Sequence, residues 1–425
     1  MLSITLVQND RQLAETERQV AELESSLTSD ATFASLSHGL PAAILKDVRR
    51  AIEVEVRELN RAAVAYRKAK DGDCDSLFET VGSDLGLRLI AARICRGLSQ
   101  KELARKLGLR EQAIQRWEAD KYRSITLGNF QSVCRALGLN LDLSILDQSR
   151  MKWTPNFETS QSEASAVLRH AKARNWVADA DAERLLIRRI GEHVQSHGTP
   201  SLLRTGLNAN RVVPDWYLIA WKAQVTWLAE QKACNLNNTF SPLDLNWLTK
   251  LVRLSRSPDG PIAAQRLLAE QGILLIIERQ ISGMRVDGAA FLADGVPVIG
   301  MTLLRDAVDN FWFTLLHELG HIILHRRAGL VSGFFDDLDK RDLDEIEAQA
   351  DNFAENLLIP YEVWRKSPAR IAKESGPVEK LAESLGIAPE IVYGRIRKER
   401  GDYKLFSSKI GQGKVRSLFP EYEGA

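Results

Sequence analysis

The chain lacks paired cysteines. Its four cysteines are scattered over 425 residues and form no Cys-x-x-Cys motif; they are Cys74, Cys95, Cys134 and Cys234. This spacing argues against a disulfide framework of the kind that stabilises small secreted domains. It is typical of a protein that stays in a reducing compartment.

Long hydrophobic runs and an excess of one charge are also missing. No apolar segment approaches the roughly 20 residues of a membrane-spanning helix. The N-terminus has neither the basic flank nor the apolar core of a secretory signal. The chain has 57 basic and 56 acidic residues, a net charge of +1, and 44% of its residues are hydrophobic. We therefore expect a cytoplasmic, globular protein of about two to four domains with no membrane partner.

The most specific motif present is a His-Glu-x-x-His sequence inside an apolar run that has the character of a helix, Phe311–His321. Because an α-helix has about 3.6 residues per turn, His317 and His321 project from one face and can bind one metal ion. Glu318 lies beside them, where a catalytic base would take a proton from water at the metal.

A third ligand is expected from the helical segment Glu345–Ala354. Glu347 and Asp351 are four residues apart and share a face, so we predict that Glu347 binds the metal and that Asp351 accepts a hydrogen bond from a ligand histidine. Glu345 points elsewhere on the helix. His325 continues the histidine stripe, but three ligands on one helix would diverge along its length. Two imidazoles and one carboxylate favour Zn²⁺, with Mn²⁺ as the alternative.

A second motif is typical of DNA-binding proteins. Leu98–Leu109 is a short amphipathic segment in which Ser99 can cap a helix and Glu102 can complete a capping box, and Gly108 ends the helix. Arg110–Glu118 is predicted to form the next helix. The positions expected to be buried are Leu103, Ala104, Leu107, Ile114 and Trp117.

The outward face of this second helix carries side chains suited to adenine and guanine edges. Between residues 85 and 123 there are ten basic and four acidic residues, a local charge of +6, whereas the whole chain has only +1. A basic module of this kind supplies affinity for phosphate. The alternative is a protein-interaction module with a solvated basic face. The predicted DNA-binding residues are Gln100, Lys101, Arg110, Gln112, Gln115, Arg116 and Lys121.

The metal-binding motifs resemble those of the ImmA/IrrE metallopeptidases. The resemblance rests on Phe313–His325 and Glu347–Pro360, and it covers about residues 260–365. It also fits a helix that ends at Gly272 and three short strands, at Ile273–Ile277, Gly288–Phe291 and Pro297–Gly300. The resemblance implies a zincin-like, gluzincin-type endopeptidase that cleaves a helix-turn-helix repressor. Gln349 departs from it, because many relatives have a second Glu there.

The basic module resembles the Cro/phage-repressor (XRE) class of helix-turn-helix over about residues 85–142. The matching residues are Ser99, Gln100, Leu103, Ala104, Gly108, Ile114 and Glu118. The resemblance implies a double-stranded DNA operator as partner, with Gln100 contacting a phosphate and bracing the recognition helix. Arg110 replaces the usual Ser or Thr cap of that helix, which leaves its first residue open.

Other segments give weaker indications. The amphipathic patterns at Leu13–Leu27 and Leu45–Tyr66 predict two helices that either form a homodimer interface or pack on the DNA-binding domain of their own chain. The region 149–255 has no chemical motif but contains six of the nine tryptophans, which suit either a core or a ligand pocket. The segment Leu381–Val392 repeats the spacing of the first helix-turn-helix, as a packing or docking element or as a second DNA reader.

We therefore expect a mainly α chain with a small α+β domain: a helix-turn-helix domain plus a zincin-like metallopeptidase domain with a short β-sheet. The predicted divisions are an N-terminal helical segment at 1–80, the DNA-binding domain at 81–148, a Trp-rich helical region at 149–255, the metallopeptidase domain at 256–376 and a C-terminal segment at 377–425. The expected function is a stress-responsive regulator that cleaves a repressor-type protein, either a separate one or itself. The alternatives are a transcription factor whose peptidase-like domain only senses a metal or ligand, and an antitoxin-like regulator that grips a protein partner.

Overall fold

A computed structural model of the chain divides it into two compact units. Of the described residues, 6–28 and 52–139 form one unit, and 39–51 and 161–423 form the other. The structure describes residues 6–28, 39–81, 85–122, 125–139, 161–177, 182–197, 215–233, 236, 238–241, 244–293, 295–325 and 340–423. Trp153, one of the tryptophans noted above, lies outside these residues.

The unit with the predicted DNA-binding motif is helical. One helix, α2, begins in the other unit and continues into this one after Ala51. The helices are α1 (Asp10–Thr28), α2 (Ala42–Lys70), α3 (Asp75–Val81), α4 (Leu85–Cys95), α5 (Gln100–Leu107), α6 (Glu111–Ala119) and α7 (Leu127–Ala136).

The predicted helix-turn-helix is confirmed in its local chemistry. The Ser99 side chain accepts a hydrogen bond from the backbone N–H of Glu102, and the Glu102 carboxylate accepts one from the backbone N–H of Ser99. Gly108 ends α5 with φ 69°, a left-handed conformation that suits glycine. Helix α6 begins at Glu111, one residue later than predicted, because Arg110 is extended and makes no side-chain cap bond.

The N-terminal helices share a hydrophobic core with the helix-turn-helix. Ala62, Tyr66 and Ala69 of α2 lie in the same cluster of buried residues as Leu103 of α5 and Ile114 of α6. Ion pairs join α1 to α2, including Asp10 with Lys70 at 2.8 Å. Of the two arrangements that the sequence left open, the structure therefore has the helices packed on the helix-turn-helix of their own chain. A homodimer stays a prediction.

The second unit combines helices with one small sheet. Its elements are α8 (Gln161–Ala173), α9 (Ala182–His197), α10 (Asp215–Ala233), α11 (Trp247–Arg253), α12 (Gly260–Glu270), β1 (Leu274–Ile277), β2 (Gly288–Ala293), β3 (Val296–Met301), α13 (Val308–Leu324), α14 (Lys340–Leu358), α15 (Tyr361–Trp364), α16 (Ser375–Leu385), α17 (Pro389–Arg400) and α18 (Pro420–Glu423). Short 3₁₀ turns lie at Leu254–Arg256, Pro368–Ile371, Ser407–Lys409 and Arg416–Leu418.

The sheet has the strand order β1-β3-β2, and all three strands lie where the sequence predicts them. Strand β1 pairs with β3 in parallel, and β2 pairs with β3 antiparallel, with Ala290 opposite Ile299. Strand β2 therefore forms one edge. The prediction of a mainly α chain with a small sheet is confirmed.

The Trp-rich helices cover one face of this sheet. Trp221 of α10 is fully buried, and its indole N–H donates to the backbone oxygen of Glu278 at 2.9 Å. It packs over Gly300, where a Cβ atom would lie only 2.8 Å from the indole ring. Because side chains alternate along a strand, Phe291 and Val298 point to this same face and join the same core. Trp176 and Trp221 are therefore core residues and Trp216 packs partly buried against the same core, whereas Trp227 is 38% exposed.

The opposite side of the sheet carries α13, which is buried along nearly its whole length. Gly288 of β2 lies beside it, and a Cβ atom there would be 3.0 Å from both Thr314 and Glu318. Helices α14 and α17 pack against α13 in turn. Among the residues that the structure describes, no helix has the length and apolarity needed to cross a membrane.

Candidate metal centre and nucleic-acid interface

The candidate metal centre lies where α13 crosses α14 at short distance. Gly320 makes this approach feasible, since a Cβ atom at that position would lie 3.2 Å from the Phe353 ring and 3.3 Å from the Cα of Ala350. Gly320 stands immediately before His321, so the two helices are close together beside the histidines. Glu347 lies about one turn before Ala350 on α14 and is thereby brought to them.

Three predicted ligands converge at this crossing. The Nε2 atoms of His317 and His321 lie 3.2 Å apart, and the Glu347 carboxylate lies 3.4 Å from the first and 3.5 Å from the second. His317, His321 and Glu347 form a group able to hold a metal ion. Neither Glu345 nor His325 belongs to this group.

The spacing of the two ligand imidazoles suits a small divalent cation. Around a tetrahedral ion with ligands at about 2.0–2.1 Å, neighbouring ligand atoms are about 3.3 Å apart. The 3.2 Å between the two Nε2 atoms matches that spacing, and Glu347 approaches His317 through Oε2 at 3.4 Å and His321 through Oε1 at 3.5 Å. Three protein ligands also leave a coordination position open, which is the arrangement of catalytic rather than structural zinc sites.

Asp351 contacts the outer nitrogen of His317, as predicted. Its Oδ1 atom lies 2.9 Å from His317 Nδ1. Its Oδ2 atom accepts a hydrogen bond from Lys398 of α17 at 3.3 Å, and Lys398 also pairs with Glu355 at 3.0 Å. The ammonium group of Lys398 sits 4.3 Å from the centre of the Phe313 ring. The C-terminal segment thus contributes a charged side chain to the surroundings of the metal centre.

The two ligand histidines differ in charge when no metal is bound. Burial opposes a charge on His317, but its hydrogen bonds to Asp351 and Glu347 outweigh burial and raise its pKa to about 10. Burial, reinforced by the nearby His317 and His325, holds the pKa of His321 well below its usual value. Doubly protonated His317 directs Nδ1–H at Asp351 and Nε2–H at Glu347, and metal binding at Nε2 must release the second of these protons.

Glu318 is buried beside the triangle, against the edge strand β2. Burial raises the pKa of Glu318 to about 7, while His317, Lys222 and the backbone N–H of Ala290 act in the opposite direction. The absence of a side chain at Gly288 leaves room for the Glu318 carboxylate. A carboxyl group whose pKa lies near neutrality can both accept and return a proton at physiological pH.

Lys222 of α10 is a residue of this site that the sequence does not reveal. Only 4% of Lys222 is exposed, its Nζ atom lies 5.6 Å from the centre of the Phe291 ring, and it interacts electrostatically with Glu318. Burial lowers its pKa to about 8. No motif surrounds Lys222. The one available signal was a lysine in an otherwise apolar stretch, 216–223.

In the helix-turn-helix, a buried ion pair fixes the recognition helix α6. Arg93 of α4 makes two hydrogen bonds to Glu118, at 2.6 and 2.9 Å. Gln100 donates to the same carboxylate at 2.8 Å, which is the bracing contact that the resemblance implies. Removal of Arg93 or Glu118 alone would leave the other charge buried without a partner, which is strongly destabilising. Arg93, Glu118 and Gln100 therefore hold α6 in place as one group.

The residues predicted to contact DNA are mostly exposed. Lys101, Arg110, Gln112, Gln115 and Arg116 are all accessible, whereas Gln100 and Lys121 are half-buried. The positions predicted to be buried in the two helices are confirmed for Leu103, Ala104, Ile114 and Trp117, and Leu107 is partly buried.

Two of these residues have local constraints. Gln115 donates to Glu111 one turn earlier at 3.2 Å, which leaves its amide oxygen and second N–H hydrogen for a base. Lys121 has φ 55° in the left-handed region, immediately after the helix. The base and phosphate contacts themselves stay predictions.

Comparison with protein families gives two matches. Residues 89–143 match the family described as helix-turn-helix, and residues 269–397 match the IrrE N-terminal-like domain. The chain joins an XRE-type helix-turn-helix domain to an ImmA/IrrE-like domain. A search of curated proteins and a search of solved structures each found no significant match.

The ImmA/IrrE-like match contains all three candidate metal ligands and Glu318. It begins at the end of α12, covers the sheet, α13 and α14, and reaches into α17 at residue 397. Lys222 lies outside it. The ImmA/IrrE-like domain therefore carries a His/His/Glu group able to hold a metal ion, and α10 from beyond the match adds Lys222 beside it.

Replacement of Lys222 by Met should stabilise the metal-free protein at neutral pH. Unfolded lysine keeps its proton up to about pH 10.5, whereas folded Lys222 has a pKa of about 8. Burial of the charged Lys222 ammonium group therefore lowers the free energy of unfolding by about 3 kcal/mol at pH 7. This penalty disappears as pH rises from 8 to 10.5. Calorimetry of wild type and Lys222→Met in a chelator should give a difference that shrinks across this range.

The control is Lys232→Met, which changes an exposed lysine on the same helix. It should show no such pH-dependent difference. A Lys222→Met protein that is less stable than wild type at pH 7 would contradict the account of Lys222 as a costly buried charge.

Proposed function

We propose that this chain is a DNA-binding transcriptional regulator whose ImmA/IrrE-like domain is a zinc-dependent endopeptidase. The observation that supports this most strongly is the ligand triangle of His317, His321 and Glu347 with Glu318 beside it, in a chain that also carries a helix-turn-helix. The substrate would be a repressor-type protein, either a separate one or the helix-turn-helix domain of this chain or a sister copy. A cytoplasmic location agrees with this role.

In the proposed mechanism, His317, His321 and Glu347 hold Zn²⁺, with Mn²⁺ as the alternative. A bound ion of this kind supplies Lewis acidity, which acidifies water and polarises a peptide carbonyl. Glu318 accepts a proton from the attacking water and returns it to the departing amine. Asp351 keeps Nδ1 of His317 protonated, so that the lone pair of Nε2 is free to bind the metal.

The burial of Glu318 suits it to this task. Glu318 is only 7% exposed, and burial disfavours the ionised form of its carboxyl group. Its pKa, raised to about 7 by burial, makes both directions of proton transfer accessible at neutral pH.

The DNA-binding side of the proposal rests on α6. Gln112, Gln115 and Arg116 offer the amide and guanidinium groups that read adenine and guanine in the major groove. Gln100, Lys101, Arg110 and Lys121 would contact phosphates. The predicted divisions at 1–80, 81–148, 149–255, 256–376 and 377–425 are retained as a proposal, with the first of them as a homodimer element for a palindromic operator.

Substitutions on the recognition helix should separate two kinds of DNA contact. Gln112→Ala or Gln115→Ala should weaken binding to specific sites by about 1–3 kcal/mol for each lost bidentate contact. Lys101→Ala or Arg105→Ala should weaken binding to all sequences alike and flatten its salt dependence. Titration of labelled DNA at several salt concentrations measures both. A protein with no preference for its own promoter region over random DNA would refute the regulator proposal.

Glu318→Gln should abolish the response of the target promoter to the inducing stress. The substitution is nearly isosteric and changes no proposed ligand, so metal and DNA binding should persist. Proteolysis should be abolished, because an amide cannot take up the proton of water at neutral pH. A reporter fused to the target promoter should therefore respond to the inducing stress in wild type and stay locked in Glu318→Gln. Equal responses would mean that catalysis is not the switch.

A further inference from the structure

The Nδ1 atom of His321 contacts another histidine rather than a carboxylate. Whereas His317 meets the Asp351 carboxylate, His321 Nδ1 lies 3.3 Å from Nδ1 of a third histidine, His325. The other nitrogen of His325 lies 2.9 Å from the amide oxygen of Gln349 on α14. The amide nitrogen of Gln349 in turn donates to the Glu345 carboxylate at 3.1 Å.

The chemistry of this chain of contacts fixes where each hydrogen lies. An ionised carboxylate only accepts hydrogen bonds, so Glu345 orients the Gln349 amide with its NH₂ group outward and its oxygen toward His325. That oxygen needs a donor, which is His325 Nε2–H. A neutral His325 then has Nδ1 as an acceptor, and His321 must supply Nδ1–H.

The consequence for His321 is a single usable tautomer. With its hydrogen on Nδ1, the lone pair is on Nε2, which lies 3.2 Å from the Nε2 atom of His317 and 3.5 Å from Glu347. His321 and His325 are 6% and 5% exposed, so water is a poor substitute for the partners they have. A buried N–H left without an acceptor is destabilising, which favours the arrangement in which His321 Nδ1–H donates to His325.

This arrangement also accounts for why His325, on the same stripe as the two ligand histidines, is absent from the ligand group. Both of its ring nitrogens are engaged, one by His321 and the other by Gln349. It stands at the C-cap of α13, after the last helical residue, and its ring turns toward α14. Its geometry is that of a support for a ligand.

We propose that His325 and Gln349 are positioning residues that present His321 to the metal in its Nδ1–H tautomer. This inference rests on the metal site of the proposed function and adds the means by which one ligand is oriented. The two ligand histidines would then be held differently, His317 by an anionic carboxylate and His321 by a neutral relay of imidazole and amide.

The test measures zinc affinity of the full chain by competition with a chromogenic chelator. Gln349→Leu removes the amide that fixes His325, and His325→Phe removes the acceptor of His321 while keeping a ring. Each should weaken zinc binding by about 10- to 100-fold, the usual effect of losing a support of this kind. Asn352→Leu is the matched control, since it replaces an exposed amide on the same helix and should change nothing.

Two further readouts separate a positioning role from a general structural one. The double variant His325→Phe/Gln349→Leu should bind zinc no more weakly than His325→Phe alone, because both residues act through one chain of contacts. Nitrogen-15 spectra of the chain's seven histidines should show a single Nδ1–H form for His321 in wild type and a mixture of tautomers in Gln349→Leu.

The outcomes discriminate between the inference and the proposal beneath it. A wild-type chain that binds no zinc overturns both. A wild-type chain that binds zinc, with Gln349→Leu equal to Asn352→Leu in affinity and His321 unchanged in tautomer, overturns the relay alone. If His325→Phe fails to fold, the comparison of Gln349→Leu with Asn352→Leu still decides the matter.

Discussion

The close crossing of α13 and α14 at Gly320 is the constraint on which the candidate site depends. A helix pair normally keeps its axes about 8–10 Å apart, and the distance is set by the side chains at the contact. Here a glycine meets Phe353 and the Cα of Ala350. Glu347 can therefore join His317 and His321 in one triangle, although about 26 residues separate the motif from the third ligand along the chain. A bulkier residue at the crossing would move the carboxylate away from both imidazoles.

The buried charges of the site are partly compensated by neighbouring groups. An ionised group removed from water is costly unless it is hydrogen-bonded or paired. His317 is hydrogen-bonded to Asp351, and Asp351 accepts a hydrogen bond from Lys398. Glu318 accepts a hydrogen bond from the backbone N–H of Ala290 and interacts electrostatically with Lys222. These partners come from four different elements, α10, β2, α14 and α17. The site is thus assembled by the whole unit, including the Trp-rich helices that carry no motif of their own.

How far the sequence predicts this structure depends on the range of each interaction. Local rules were sufficient for the capping box of Ser99 and Glu102 and for the shared face of His317 and His321, since these need only helical periodicity. Glu347 was found because a second helix carried its own spaced carboxylates. The presence of Lys222 in the site could not be predicted from the sequence, because it depends on α10 packing over a sheet that begins about 50 residues later. The support of Lys398 and the packing of α1 and α2 on the DNA-binding core also depend on tertiary contacts.

The central claim is that a metal-dependent peptidase and a DNA reader act within one chain. The most direct measurement is mass spectrometry of fragments after the purified, metal-free full chain receives Zn²⁺, alone and with candidate helix-turn-helix repressors. The account predicts internal fragments that require the metal and are absent from the Glu318→Gln protein. Zinc-loaded wild type that leaves every such substrate and itself intact, or identical fragments from Glu318→Gln, would contradict it.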